Sequence, residues 1–251
     1  MLISLLFSDM ELKDKLIYLA IDIIVIIISL SIHEWGHAFA AHKNGDDTAK
    51  NLGRMTLNPI AHIDPLGILL LFVVGFGWAK PVPVNPRNYR NYRRGEFTVS
   101  FAGIFMNLML ALFAALAAVV LAVIDCNAFG APVSAENIAI LSRAMGEAVI
   151  PYPIYMFLWM LGVTNCSLAL FNLIPVYPLD GSHIFDLLFG RLVGAKALMW
   201  LHRNGRYVLY GFLIISAMLS RTAGISIIGD AASWIYNGFT ALFSFLARLI
   251  F

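Results

Sequence analysis

Charge is what this sequence has least of. Asp, Glu, Lys and Arg make up 13% of its 251 residues and apolar residues 60%, where ordinary soluble domains run near ~25% and ~45–50%. So few charges could not cover the surface of a soluble fold this size, so the chain reads as an integral membrane protein. Cysteine is nearly missing too. Cys126 and Cys166 are the only two, and neither has a C-x-x-C partner, so neither a thiolate metal site nor a disulfide framework is expected. No cluster of basic and aromatic residues suggests nucleic acid, and no glycine-rich loop suggests a phosphate. No internal repeat or low-complexity tract appears. Lys13 and Lys15 precede a long apolar run, but no small-residue cleavage site follows, so a cleaved signal peptide is not expected.

Long apolar runs are what the chain has instead. Four could cross a bilayer as helices: Leu16 to Ala41, Phe97 to Ile124, Ile154 to Ile174, and a shorter one from Tyr207 to Leu219 whose start is marked by Gly205 and Arg206. A fifth candidate, Ile225 to Ile250, is interrupted by Asp230 and Asn237 and alternatively lies along the interface. Between the first two spans, Leu66 to Trp78 is too short to cross and too apolar for water. A re-entrant segment sheltered by protein is the natural reading. The fold expected is therefore an all-α polytopic helical bundle with four to five transmembrane helices and a re-entrant segment.

Loop charges orient it. Lys43, Lys50, Arg54, Lys80, Arg87, Arg90, Arg93 and Arg94 crowd 42–96, and Arg191, Lys196, Arg203 and Arg206 fall in 176–206, whereas 125–153 holds only Arg143. The positive-inside rule puts the first two regions in the cytoplasm and the third outside. Tyr89 and Tyr92, among these arginines, read as an interfacial belt touching anionic lipid.

At the inner end of the first span lies His33-Glu34-Trp-Gly-His37, an H-E-x-x-H motif. Helix positions four apart are only about 40° apart around the axis, so both imidazoles face one way and suit tetrahedral zinc. Glu34 sits one step round, within reach of a water but poorly placed as a ligand, which is the place of a general base. The third ligand is not the metzincin one, because Ala40 and Lys43 stand where Gly and His would be needed. Asp180 fits. It follows Asn172-Leu-Ile-Pro175-Val-Tyr-Pro178-Leu, where two prolines must break the third span, and it shares the depth of the histidines because both spans run outside to inside. An aspartate that merely caps the next helix is the alternative.

H-E-W-G-H on the first span and N-L-I-P-V-Y-P-L-D-G after the third resemble the site-2 protease family of intramembrane zinc metalloproteases. The stretches Gly53 to Gly67 and Trp78 to Asn85 are similar to its compact prokaryotic branch, and the loop at 125–153 is too short for an inserted PDZ domain. The resemblance implies one zinc per chain on His33, His37 and Asp180, with Glu34 catalytic. The family's second-span A-G-P-x-x-N pattern stands here as Ala102 to Asn107, with Ile104 in place of proline. By resemblance Asn107 and Asn172 position the substrate or stabilise an oxyanion; hydrogen bonding between helices is the alternative. His183 is a possible partner beside Asp180, or peripheral.

The whole of 1–251 is thus expected to form a single integral membrane metalloprotease domain, multi-pass in the inner membrane of a prokaryotic cell. Its partners would be the lipid bilayer and transmembrane or signal-peptide-like protein substrates, not nucleic acid. A catalytically inactive metal-dependent escort protein is the rival, but it would have no use for Glu34.

Overall fold

The computed structural model describes residues 10–74, 77–129 and 149–250. Among them every regular element is helical. The elements are α1 (Leu12–Lys43), α2 (Thr48–Asn51), α3 (Pro65–Val74), α4 (Tyr92–Phe129), α5 (Tyr152–Leu173), α6 (Asp180–Val193), α7 (Ala195–Ala223) and α8 (Ile227–Ile250), with short 3-10 turns at Pro59–Ala61 and Pro86–Asn88.

Three helices, α1, α4 and α5, are each long and apolar enough to cross a membrane. At ~1.5 Å per residue, α1 with 32 residues and α4 with 38 exceed the ~30 Å hydrocarbon layer. Each is therefore longer than a crossing needs. The last two helices qualify only together, as a pair bent by 78°. One expectation from the sequence is corrected here. The fourth apolar run does not begin at Gly205 and Arg206, because α7 passes straight through them from Ala195. The fifth apolar run forms α8, which packs into the bundle against α4 and α5.

The core gathers around α4. Its buried Ala111, Ala114 and Ala115 meet Ile21 and Val25 of α1, Met156, Met160 and Leu161 of α5, and Ala232 and Tyr236 of α8. Small side chains let helix backbones approach closely where lipid gives no hydrophobic drive for association. Near the C-terminal end of α4 Asp125, fully buried, accepts hydrogen bonds from the amides of Val149 (2.7 Å) and Ile150 (3.1 Å) and from the Tyr155 hydroxyl (2.6 Å). Those bonds pin the start of α5 to the end of α4. The stretch 130–148, including Arg143, lies outside the described residues.

α3 supports the re-entrant reading. Asp64 caps its start by accepting from the amides of Leu66 and Gly67 at 3.0 Å each. The helix has only 10 residues, about 15 Å, too short to cross. Beyond residues 75–76, which lie outside the described ones, the chain returns without regular structure, and the Lys80 amide donates to the His62 carbonyl at 2.9 Å. The excursion closes on its own starting point. Arg54 then caps the Lys80 carbonyl at 2.9 Å and the Pro81 carbonyl at 3.2 Å.

Asp46 anchors this returning segment. Fully buried, it accepts from the Asn85 amide (2.7 Å), the Asn88 side chain (2.8 Å) and the Thr48 amide (3.1 Å). Tyr89 follows, and it is buried against Ala41 and Val99 rather than facing lipid; only Tyr92 is exposed.

Asp46→Ala is expected to cost about 2 kcal/mol, since it orphans buried donors, and to lower the unfolding temperature in detergent. Burial opposes ionisation of Asp46, but the donors of Asn85, Thr48 and Asn88 outweigh it and hold the carboxyl below its ordinary range. Its contribution is therefore complete above an unfolded pKa near ~4 and is lost as pH falls through the lowered value. Wild type and variant should converge only in that acid limb.

Candidate metal centre

α1 delivers His33, Glu34 and His37 on a continuous helix, all largely buried. α5 stops at Leu173 because Ile174 turns extended (ψ 129°) before Pro175, and a new helix starts at Asp180. This break carries Asp180 back to α1. Its Oδ2 lies 3.4 Å from His33 Nε2 and 3.3 Å from His37 Nε2, and the two Nε2 atoms lie 3.0 Å apart.

The backs of both rings are occupied. His33 Nδ1 is 2.7 Å from Asn107 Oδ1, and His37 Nδ1 is 2.8 Å from the Val99 carbonyl. Both partners only accept, so each Nδ1 carries the proton and each Nε2 presents its lone pair forward. The orientation of Asn107 is itself fixed, because its Nδ2 donates to Asn165 Oδ1 at 2.7 Å. Asn165 in turn donates to Ser29 Oγ at 2.8 Å, and Ser29 to the Val25 carbonyl at 2.7 Å. A buried chain of hydrogen bonds thus ties α1, α4 and α5 behind His33.

Three electron-pair donors consequently converge with no proton donor between them, and the buried Asp180 Oδ2 has no hydrogen-bond partner. Such a group demands a cation. Bonds of ~2.0–2.1 Å in a tetrahedral site put ligand atoms about 3.3 Å apart, close to the separations found. The donor set fits zinc. Among the described residues this is the one group of three or more that could hold a metal ion.

Close helix approach makes the geometry possible. At Gly103 of α4 a Cβ would fall 2.5 Å from His33 Cε1 and 2.5 Å from His37 Nε2, so the rings rest directly on its backbone. Gly36 of α1 admits α4 as closely, where a Cβ would fall 2.7 Å from Met106 Cγ and 3.0 Å from the Ala102 carbonyl. Asn107, Gly103 and Val99 recur every three or four residues and so form one stripe of α4.

Glu34 is not drawn into the group. Its Oε2 accepts from the Val82 amide at 2.7 Å, on the returning segment. Neither that amide nor the Val99 carbonyl had any signal in the sequence, since every residue carries a backbone carbonyl and every residue but proline a backbone N–H. Asn165 had one, its place seven residues before Asn172 on one helix face.

The other expected residues fall elsewhere. Asn107 lies behind His33 with both ends of its amide engaged. Asn172 donates to the Leu168 carbonyl of its own helix at 3.0 Å and has no hydrogen bond to the three ligands or Glu34. His183 is paired with Glu96, Asp64 is occupied as a cap, and His62 donates to the Thr56 carbonyl. None of the three competes with Asp180.

Residues 21–216 match the model of peptidase family M50. YwhC of Bacillus subtilis, whose name makes it a candidate zinc metalloprotease, is 40% identical over 174 residues, 69% of this chain and 71% of its own. Rip2 of Mycolicibacterium smegmatis, named in the same way, is 33% identical over 102 residues, covering 38% of this chain and 39% of its own. Rip2 of Mycobacterium tuberculosis is 33% identical over 109 residues, covering 41% and 42%. No solved structure matches. The family match takes in the histidine pair, the stripe on α4 and the helix break at Asp180 alike, and the chain belongs to peptidase family M50, the site-2 protease family of membrane zinc metalloproteases.

Proposed function

We propose that this protease hydrolyses peptide bonds of transmembrane or membrane-anchored proteins, signal-peptide-like segments included, near the cytoplasmic side of a prokaryotic inner membrane. His33, His37 and Asp180 hold one zinc per chain, and Glu34 is the general base. The observation that carries this reading is the convergence of those three electron-pair donors beside a carboxylate that stays out of the group. The bacterial relatives support the cellular setting.

Bound there, zinc supplies Lewis acidity, which polarises a carbonyl oxygen and makes water a better nucleophile near neutral pH. The chain's own residues do the rest. The Val82 amide holds Glu34 Oε2, so the carboxylate cannot swing and Oε1 is left to take a proton from the attacking water. Glu34 then returns that proton to the leaving nitrogen. Asn107 and the Val99 carbonyl keep both Nε2 atoms aimed forward. Asn172, on the last turn of α5, contacts the substrate strand. Helical carbonyls are shielded by their own hydrogen bonds, so the scissile segment must open into extended chain. Substrates with helix-breaking residues near the inner leaflet are favoured.

Purified protein should carry about one zinc per chain. Asp180→Ala, His33→Ala and His37→Ala should each lower the affinity at least about tenfold, read by chelator competition. Gly103→Ala should do the same, because its methyl would push on both rings. Full zinc affinity in Asp180→Ala would remove Asp180 from the ligand set.

Glu34→Gln should retain zinc and fold but lose activity by about 10²–10⁴-fold, the usual worth of a general base. Cleavage of a single-span substrate at near wild-type rate would rule Glu34 out.

Sidedness rests on the basic residues of 42–96 and 176–206. In intact cells, a cysteine at position 90 should resist an impermeant reagent while one at 135 reacts. The opposite pattern would invert the orientation and the cleavage side.

A further inference from the structure

The stripe on α4 does not end at Val99. One turn nearer its start lies Glu96, and one more turn back Arg93, continuing the spacing of Asn107, Gly103 and Val99. Both reach α6. His183 Nδ1 donates to Glu96 Oε1 at 2.9 Å, and Arg93 Nη2 donates to the Leu187 carbonyl at 3.2 Å. Glu96 is largely buried, with a side chain only 12% exposed, and a carboxylate so placed requires a partner. Its hydrogen bond is the leading influence on His183, lifting that imidazole above its ordinary range against the opposing effect of burial.

The place of this pair in the chain gives it meaning. Asp180 is the first residue of α6 and follows a non-helical stretch from 174 to 179, so α5 does not fix its direction rigidly. His183 is in the same first turn, three residues on. α6 leans chiefly on α4. Whatever fixes the first turn of α6 against α4 also fixes where Asp180 stands relative to two rings that α4 already orients.

We propose that Glu96 and His183 are positioning residues: their pair clamps the first turn of α6 to α4 and so registers Asp180 against His33 and His37. Arg93 provides the second attachment point one turn along. The clamp makes one helix the common reference for all three ligands. It rests on the reading of Asp180 as the third zinc ligand.

The test is zinc affinity of the purified full chain, measured by chelator competition, with the visible spectrum of the cobalt-substituted protein as a second readout. His183→Ala and Glu96→Ala should each weaken zinc binding about 10–100-fold, the range for groups that orient a ligand, and should alter the cobalt spectrum. Glu96→Gln, which keeps the shape and a neutral acceptor, should fall between them and wild type and guards against simple misfolding. In an Asp180→Ala background the same changes should have no further effect, because the clamp acts through Asp180. Wild-type affinity in both alanine variants would overturn the proposal, as would equal weakening with and without Asp180. If Asp180→Ala alone left zinc affinity unchanged, the ligand assignment itself would fall and the clamp with it, an outcome distinct from failure of the clamp alone.

Discussion

Mutual repulsion among two imidazole lone pairs and a carboxylate, held within hydrogen-bond distance of one another, is the interaction on which the rest of the structure turns. In a water-poor interior such an arrangement is costly unless a cation neutralises it. It also collapses if either ring rotates to offer its N–H instead. The surroundings answer both demands. Acceptors fixed behind each ring hold the tautomer, and the approach of α1 to α4 at Gly36 and Gly103 leaves the rings no space to turn.

α4 therefore acts as more than a membrane crossing. Its alanine face binds α5 and α8, while its other stripe serves the metal centre. The polar chain through Asn107, Asn165 and Ser29 welds three helices where apolar packing alone would leave them free to slide. A half-satisfied network at that depth would be worse than none; here the donors along the chain all find acceptors.

The parts legible in the sequence were those whose chemistry resides in side chains. The H-E-x-x-H spacing, the proline break before Asp180 and the apolar runs of α1, α4 and α5 all translate directly into structure, because periodicity and proline act locally. Asn107 was visible as an amide, but its orientation was not: whether it faces substrate or the back of His33 depends on where α1 lies. Gly205 and Arg206 read as a boundary because glycine usually punctuates helices. In the fold Gly205 instead admits the Tyr177 backbone, where a Cβ would come within 2.7 Å of its carbonyl. The bend between α7 and α8 was equally hidden, since whether two apolar runs share one crossing depends on their angle and not on their hydropathy.

The bond from Val82 to Glu34 has an evolutionary corollary. The donor is a main-chain amide between Pro81 and Pro83, two residues that have no such group to offer. Nineteen of the twenty standard amino acids could supply the same N–H at that position, so selection on this contact would act against proline alone. Position 82 would then drift freely among relatives within the limits of its packing on Ala38 and Ala49. A contact that holds the carboxylate beside the three converging donors would leave almost no trace in an alignment, while the prolines beside it, which have no N–H to compete, would look like the constrained residues.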